Sequence, residues 1–235
     1  VSAFLLIFAG VSLLLLWESN ETSQITVDGK TDDWSGVQSN KQQEGNVDNS
    51  NIDIVSTSAL TDSIYLSLLA VTDEPMFYSS EGYTLRILID SDDNSDTGYS
   101  IPGIGADQMV EIYGKNQAIL SSVLYTFNNN RDSNDWNGFN ALSIVNARTL
   151  GNNIETQVPL FDLGENDEMK VAWQTTDNNE LTDLADNVIS LKGNNFAMSE
   201  KITELITNSN SVNEGEGIVI DGYFGDWNNV EKQTN

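Results

Sequence analysis

Residues 83–99, YTLRILIDSDDNSDTGY, decide the fold. Up to Ile89 the apolar Leu85, Ile87 and Ile89 alternate with Thr84, Arg86 and Leu88, which sets one side-chain row on each face of a strand. At Asp90 the alternation stops and an acidic loop begins. The same two-residue period runs through residues 64–70, where Ile64, Leu66, Leu68 and Ala70 face one way and Tyr65, Ser67 and Leu69 the other. Further strands are predicted at 108–113, 118–127, 141–146, 153–159, 169–175 and 187–191, divided by clusters of Asn, Asp and Gly. Eight or nine short strands in residues 25–191, with no long helix among them, predict a mainly β fold: an antiparallel β-sandwich of jelly-roll or immunoglobulin-like type.

The acidic loop carries a chemistry of its own. Asp90, Asp92, Asn94 and Asp96 place oxygen donors at alternate positions, and Asp107 follows in Gly105-Ala106-Asp107. Such a run can curl around a hard cation, each side chain giving one oxygen at about 2.3–2.6 Å, so calcium is the expected cofactor. Without a cation, the carboxylates would repel one another. The spacing is not that of an EF-hand, because neither the sixth-position Gly nor the terminal Glu is in register. A solvated acidic hairpin loop is the competing reading. A second group, Asp177, Asn179, Asp183 and Asp186, reads better as an acidic turn than as an ion site.

Composition narrows the partners. Lys plus Arg number 10 against 36 Asp plus Glu in 235 residues, a formal charge of −26. Nucleic acid and anionic lipid headgroups are therefore poor partners, and cations good ones. The chain has no Cys and no His, which removes disulfides, thiolate metal sites and the commonest general base. With acidic residues this abundant, no nucleophile or carboxylate pair stands out, and no enzyme activity is expected. For an exported protein lacking disulfides, calcium and a large β core are the expected sources of stability.

Two segments repeat. Residues 25–37, ITVDGKTDDWSGV, and 218–230, IVIDGYFGDWNNV, align without a gap, with identities at Ile25/Ile218, Asp28/Asp221, Gly29/Gly222, Asp33/Asp226, Trp34/Trp227 and Val37/Val230. Ile25 and Val27 are expected on a short strand, Asp28-Gly29 in a turn, and Trp34 against the body. The second copy reads as the start of another module, or as a strand donated to a neighbouring subunit's sheet edge. Residues 192–217 read as a short helix and linker, leaving 218–235 as the repeated segment.

The other extreme of the chain is apolar. Residues 1–17, VSAFLLIFAGVSLLLLW, contain no charge and no Pro, and a polar run begins at Glu18. As a helix this segment would span about 25 Å at about 1.5 Å per residue, just short of a bilayer core. Val1 stands where a Met would be expected, with no Lys or Arg ahead of the apolar run. The pattern resembles type IV pilins and archaeal pilin-like proteins after removal of a basic leader. That resemblance, confined to about the first 25 residues, implies a helix (residues 1–22) that rests in the membrane before assembly and then packs with its copies in a filament core. Leu5, Leu6, Phe8, Leu13 and Leu16 would be the assembly residues. A plain membrane anchor and a retained signal segment are the alternatives. Asn20-Glu21-Thr22 fits an N-glycosylation acceptor at Asn20.

Residues 25–191 also resemble family 9 carbohydrate-binding modules and the related sugar- and haem-binding sandwiches. The features shared are the Asp-Gly…Asp-Trp turn, the strand 85–90 running into Asp96-Thr97-Gly98-Tyr99, Gly105-Ala106-Asp107 before strand 109–112, and Ile154-Glu155…Val158-Pro159. The resemblance implies a calcium-bearing sandwich and, in some members, a sugar held between exposed Trp rings. Trp136, in the loop 130–138, is the residue placed to serve as such a ring; Trp34 belongs to the repeated turn and Trp173 to a core strand. Haem is disfavoured by the absence of His. The expected function is therefore a structural subunit of an extracellular, pilus-like surface filament. The alternative is a membrane-anchored module for carbohydrate binding, adhesion or surface coating, with glycans as partners.

Overall fold

The computed structural model describes residues 24–164 and 168–192, which lie in the first of the chain's two compact units, Val1–Asn194. The apolar segment with Leu5, Leu6, Phe8, Leu13 and Leu16, the Asn20 acceptor, the predicted linker from 193 onward and the repeat at 218–230 lie outside the described residues.

The described residues are mainly antiparallel β, arranged as a β-sandwich-like fold. One sheet is ordered β1 (Ser39–Lys41), β2 (Ile54–Thr61), β3 (Tyr65–Thr72), β11 (Asn153–Pro159) and β10 (Asn146–Leu150). The other, larger sheet runs from β13 (Thr182–Leu184) through β12 (Glu168–Thr176), β4 (Tyr83–Asp90), β7 (Gln108–Lys115) and β8 (Ala118–Phe127) to β9 (Phe139–Ile144), with β14 (Ile189–Lys192) also on β12. A small hairpin, β5 (Tyr99–Ile101) and β6 (Ile104–Ala106), lies apart from both. The sheets meet where β2 lies against β12 and β14, and where β10 lies against β8.

Alternation explains which side chains are inside. Leu66, Leu68 and Ala70 of β3 are fully buried, as are Leu85 and Ile89 of β4, Val110 and Ile112 of β7, and Val171 and Trp173 of β12. Residues 141–146, expected as one strand, divide at Val145. Its N–H donates to the Ser122 carbonyl at 3.2 Å while its own carbonyl accepts from Ser122 Oγ at 2.5 Å. Here the chain leaves the larger sheet as β9 and enters the smaller as β10, the kind of corner by which two sheets share one strand. Ser39–Lys41 pairs with β2 as an edge strand.

The repeated turn is the main correction to the predicted strands. Ile25 and Val27 form no strand; Thr26 N–H donates to Asp33 Oδ2 at 2.6 Å and closes residues 25–34 on themselves. The segment lies across the outer face of the smaller sheet, where Ile25 and Trp34 pack with Leu69 in a small core that Val37, Leu60 and Val71 complete. Glu155, paired with Leu69 in the β3–β11 register, is fully buried there. Its carboxylate accepts from Trp34 Nε1 at 2.5 Å, Gly29 N–H at 2.5 Å and Asp28 N–H at 3.1 Å. Two positions along β11, Gln157 Nε2 donates to the Ile25 carbonyl at 2.7 Å and to Ser67 Oγ at 3.0 Å. Gly29 has φ +87° and sits so close that a Cβ would stand 2.7 Å from Leu150 Cβ, so only glycine fits. Burial pushes the Glu155 carboxyl above its ordinary range, against the pull of the indole and the two backbone N–H groups.

Candidate metal centre

β4 ends in the full burial of Asp90, and the chain returns to the same place at Asp107, between β6 and β7. Asp107 N–H donates to the Ile89 carbonyl at 2.9 Å, which ties the second acid to the last turn of the first strand. Asp92, exposed on the loop, completes a set of three carboxylates whose nearest oxygens all lie within 4.8 Å of one another. This is a cluster of hard oxygen donors able to hold a metal ion, and among the described residues it is the one such cluster.

The loop is wound by its own short side chains. Asn94 N–H donates to Asp90 Oδ1 at 3.1 Å and to Asp92 Oδ1 at 3.0 Å. Thr97 Oγ1 reaches both Asp92 oxygens and the Asn94 carbonyl. Asp107 accepts from Ser91 N–H at 3.0 Å and Ser91 Oγ at 3.3 Å. The hairpin β5–β6 closes the back of the loop: a Cβ on Gly105 would stand 2.0 Å from the Thr97 carbonyl oxygen. That close approach lets Gly105 N–H point to Asp90 Oδ2, at a long 3.4 Å.

Electrostatics at the cluster are unfavourable without a cation. Burial, followed by the charges of Asp92 and Asp90, raises the Asp107 pKa to about 6. Asp90 is raised mainly by burial and further by Asp92, despite the backbone N–H groups of Gly105 and Asn94. Lys170 pairs with Asp93, outside the trio. A divalent ion would supply the positive charge these oxygens lack.

Of the five residues expected to be ligands, Asp90, Asp92 and Asp107 come together. Asn94 accepts the Asp96 N–H on its side-chain oxygen at 3.1 Å, and the Asp96 carboxylate is not among the three that cluster. In the second acidic group, a turn is built on Asp177 alone. Asp177 caps it through Asn179 N–H and Leu181 N–H and also accepts from Asn49 Nδ2, and these bonds outweigh burial to lower its pKa. Asp183, in strand β13, is buried and receives Ile54 N–H at 2.7 Å and Asn46 Nδ2 at 3.2 Å. Asp186 meets Gln42 through its backbone N–H.

Trp136, 40% exposed, lies in a short 3-10 turn capped by Asp135. The Arg86 guanidinium stands 5.3 Å from its ring centroid, and Tyr99 and Phe139 meet it at 5.2 and 5.3 Å with steep interplanar angles. Arg86 Nε is in turn held by Glu111 Oε2 at 2.8 Å. The ring is therefore accessible but already has a cation near it.

Glu155 was missed as a structural centre. Its signal was present as two large polar residues, Glu155 and Gln157, on one face of a strand whose other face, Ile154 and Val158, is apolar. Compared with protein-family models, curated proteins and solved structures, the chain matches none. Among the described residues, no helix is long and apolar enough to cross a membrane.

Proposed function

We propose that this protein is a structural subunit of an extracellular, pilus-like filament, with residues 1–17 forming the shared apolar core and the acidic β body outside it. The observation that carries the reading is the juxtaposition of an uncharged run of 17 residues with a body of strongly negative charge. Only the first can pack against copies of itself out of water; the second stays soluble and repels unwanted contacts. An apolar margin supports contacts between bodies: Leu142 and Ile144 of the edge strand β9 are 48% and 86% exposed. Asp90, Asp92 and Asp107 bind calcium in this reading, because an all-oxygen site with no His or Cys suits a hard cation.

The experiment is microscopy of the native surface with an antibody to the β body, together with N-terminal sequencing of the labelled material. Labelled filaments beginning at Val1 support the reading, and a charge introduced as Leu6→Lys or Leu13→Lys should abolish them while the body stays folded. Filaments formed normally by either variant would overturn it.

A second reading rests on Trp136. Its exposure beside Arg86 and Glu111 offers a ring and paired polar groups, the ingredients of a glycan site on a membrane-anchored module. Glycan-array binding that Trp136→Ala abolishes would favour it, and absence of binding would remove it.

A further inference from the structure

The six residues shared by the two repeated segments are those that seat the first copy on its sheet. Ile25, Gly29 and Trp34 are buried, and Val37 packs on the same small core. Asp33 closes the segment on Thr26, while Asp28 caps Lys30 N–H at 2.8 Å and gives its own N–H to Glu155. Seven positions differ: Thr26, Lys30, Thr31, Asp32, Ser35 and Gly36 are all exposed, and the half-buried Val27 is exchanged only for another β-branched aliphatic, Ile220. Gly36 has φ +96°, and the second copy has Asn229 there, the residue that best tolerates that conformation after glycine. Selection of contact residues, rather than general similarity, is thus what the repeat preserves.

The receptor for such a segment is equally specific. It needs a buried carboxylate to take one indole N–H and two consecutive backbone N–H groups, an amide two residues on to take the Ile carbonyl, and an apolar floor. Glu155, Gln157 and Leu69 with Leu60 and Val71 supply this, and in the described fold residues 25–37 fill it. Each chain carries, by sequence, a second segment with the same six residues.

We propose that residues 218–230 are a second docking segment, which takes the Glu155 cradle of a neighbouring copy in place of that copy's residues 25–37. The bonds would be the same: Trp227 Nε1, Gly222 N–H and Asp221 N–H to Glu155, and the Ile218 carbonyl to Gln157. Copies joined in this way form a head-to-tail contact.

The test weakens the resident segment in the full chain. Trp34→Ala should make the protein associate with rising concentration in sedimentation, and the added change Trp227→Ala should return it to monomers. Trp227→Ala alone should move the melting temperature of the β body by less than about 1 °C, as expected for a residue that does not hold that body together. A Trp34→Ala chain that stays monomeric at every concentration, or associates equally well with Trp227→Ala, overturns the proposal. To cover failure of the Ala variants to fold, Trp34→Phe with Trp227→Phe keeps both rings and removes both indole donors. A synthetic peptide of residues 218–230, at about 100 times its Kd, should raise the melting temperature of that double variant by about 5–10 °C. No rise, with a rise from the peptide 25–37 or with neither, is equally decisive against it. Filaments built through Leu6 and Leu13 should persist in Trp227→Ala, so the two proposals fail separately.

Discussion

Glu155 and Asp90 are both fully buried acids, yet one is surrounded by donors and the other by acids. Glu155 receives an indole and two backbone N–H groups, all from the repeated turn. Asp90 receives two backbone N–H groups, one of them at 3.4 Å, and shares its space with Asp92 and Asp107. Burial raises the pKa of each, and donors counter it at both; what differs is that an indole joins the backbone donors at Glu155, whereas Asp90 has backbone N–H groups alone and stands in a cluster of three acids. A buried carboxylate with its own donors is a structural fastening; buried carboxylates facing one another call for a cation.

The largest effect expected from breaking this contrast is at the fastening. Trp34→Ala removes a buried ring and the strongest donor together, and should cost about 3–5 kcal/mol, read as a fall of about 10 °C in melting temperature. A fall of under 2 °C would mean that residues 25–37 merely rest on the sheet.

Next comes the cation. Calcium at about 100 times its Kd should stabilise the protein by about 2.7 kcal/mol, a rise of about 5–10 °C. Asp107→Asn should abolish that response and, by removing one of three crowded charges, leave the metal-free protein more stable than its parent. An unchanged melt on calcium addition, with no metal in elemental analysis, would return the loop to a solvated turn.

Glu155→Gln should be milder, about 1–3 kcal/mol, because the amide keeps one acceptor oxygen but turns its own N–H toward the donors of the turn. If Glu155→Gln is as costly as Trp34→Ala, the carboxylate and not the ring holds the segment.

The smallest effect is on pH dependence. The Asp107 carboxyl titrates near 6 in the fold, above the ordinary carboxylate range. Its protonation therefore favours the folded state, and the stability it contributes is complete below about pH 4 and lost as pH rises through about 6. In chelator, the melting temperature should rise by a few degrees as pH falls from 7 to 5; in calcium, that gain should disappear, since the ion prefers the ionised acids. A chelated protein that melts lower at pH 5 than at pH 7 would contradict the crowded-acid account.

The strands were legible because alternation is a local property. Residues 118–127 and 153–159 were marked to the residue by side-chain period and flanking turns. What escaped depends on distant partners. Val145 ends β9 because its backbone groups pair with Ser122 on another strand, which no window of sequence around residue 145 reveals. Ile25 and Val27 have the alternation of a strand, but Gln157 takes the Ile25 carbonyl and Glu155 the N–H groups of Asp28 and Gly29 just after, so distant side chains rather than a strand partner hold the segment. At the acidic loop, the residue types were legible and the selection among them was not. Asp90 and Asp107 are placed by the end of β4 and the start of β7, whereas Asn94 takes part in winding the loop through its own N–H and its side-chain oxygen.

The segment that covers the smaller sheet is made before its receptor exists. Trp34 and Glu155 are separated by 121 residues, and Ile25 and Gln157 by 132. During synthesis the ring and the isoleucine stay without their site until β11 has emerged and paired with β3, so closure of this face belongs to the last stages of folding. Until then the nascent chain displays an adhesive patch, and crowding of ribosomes on one message would bring such patches together.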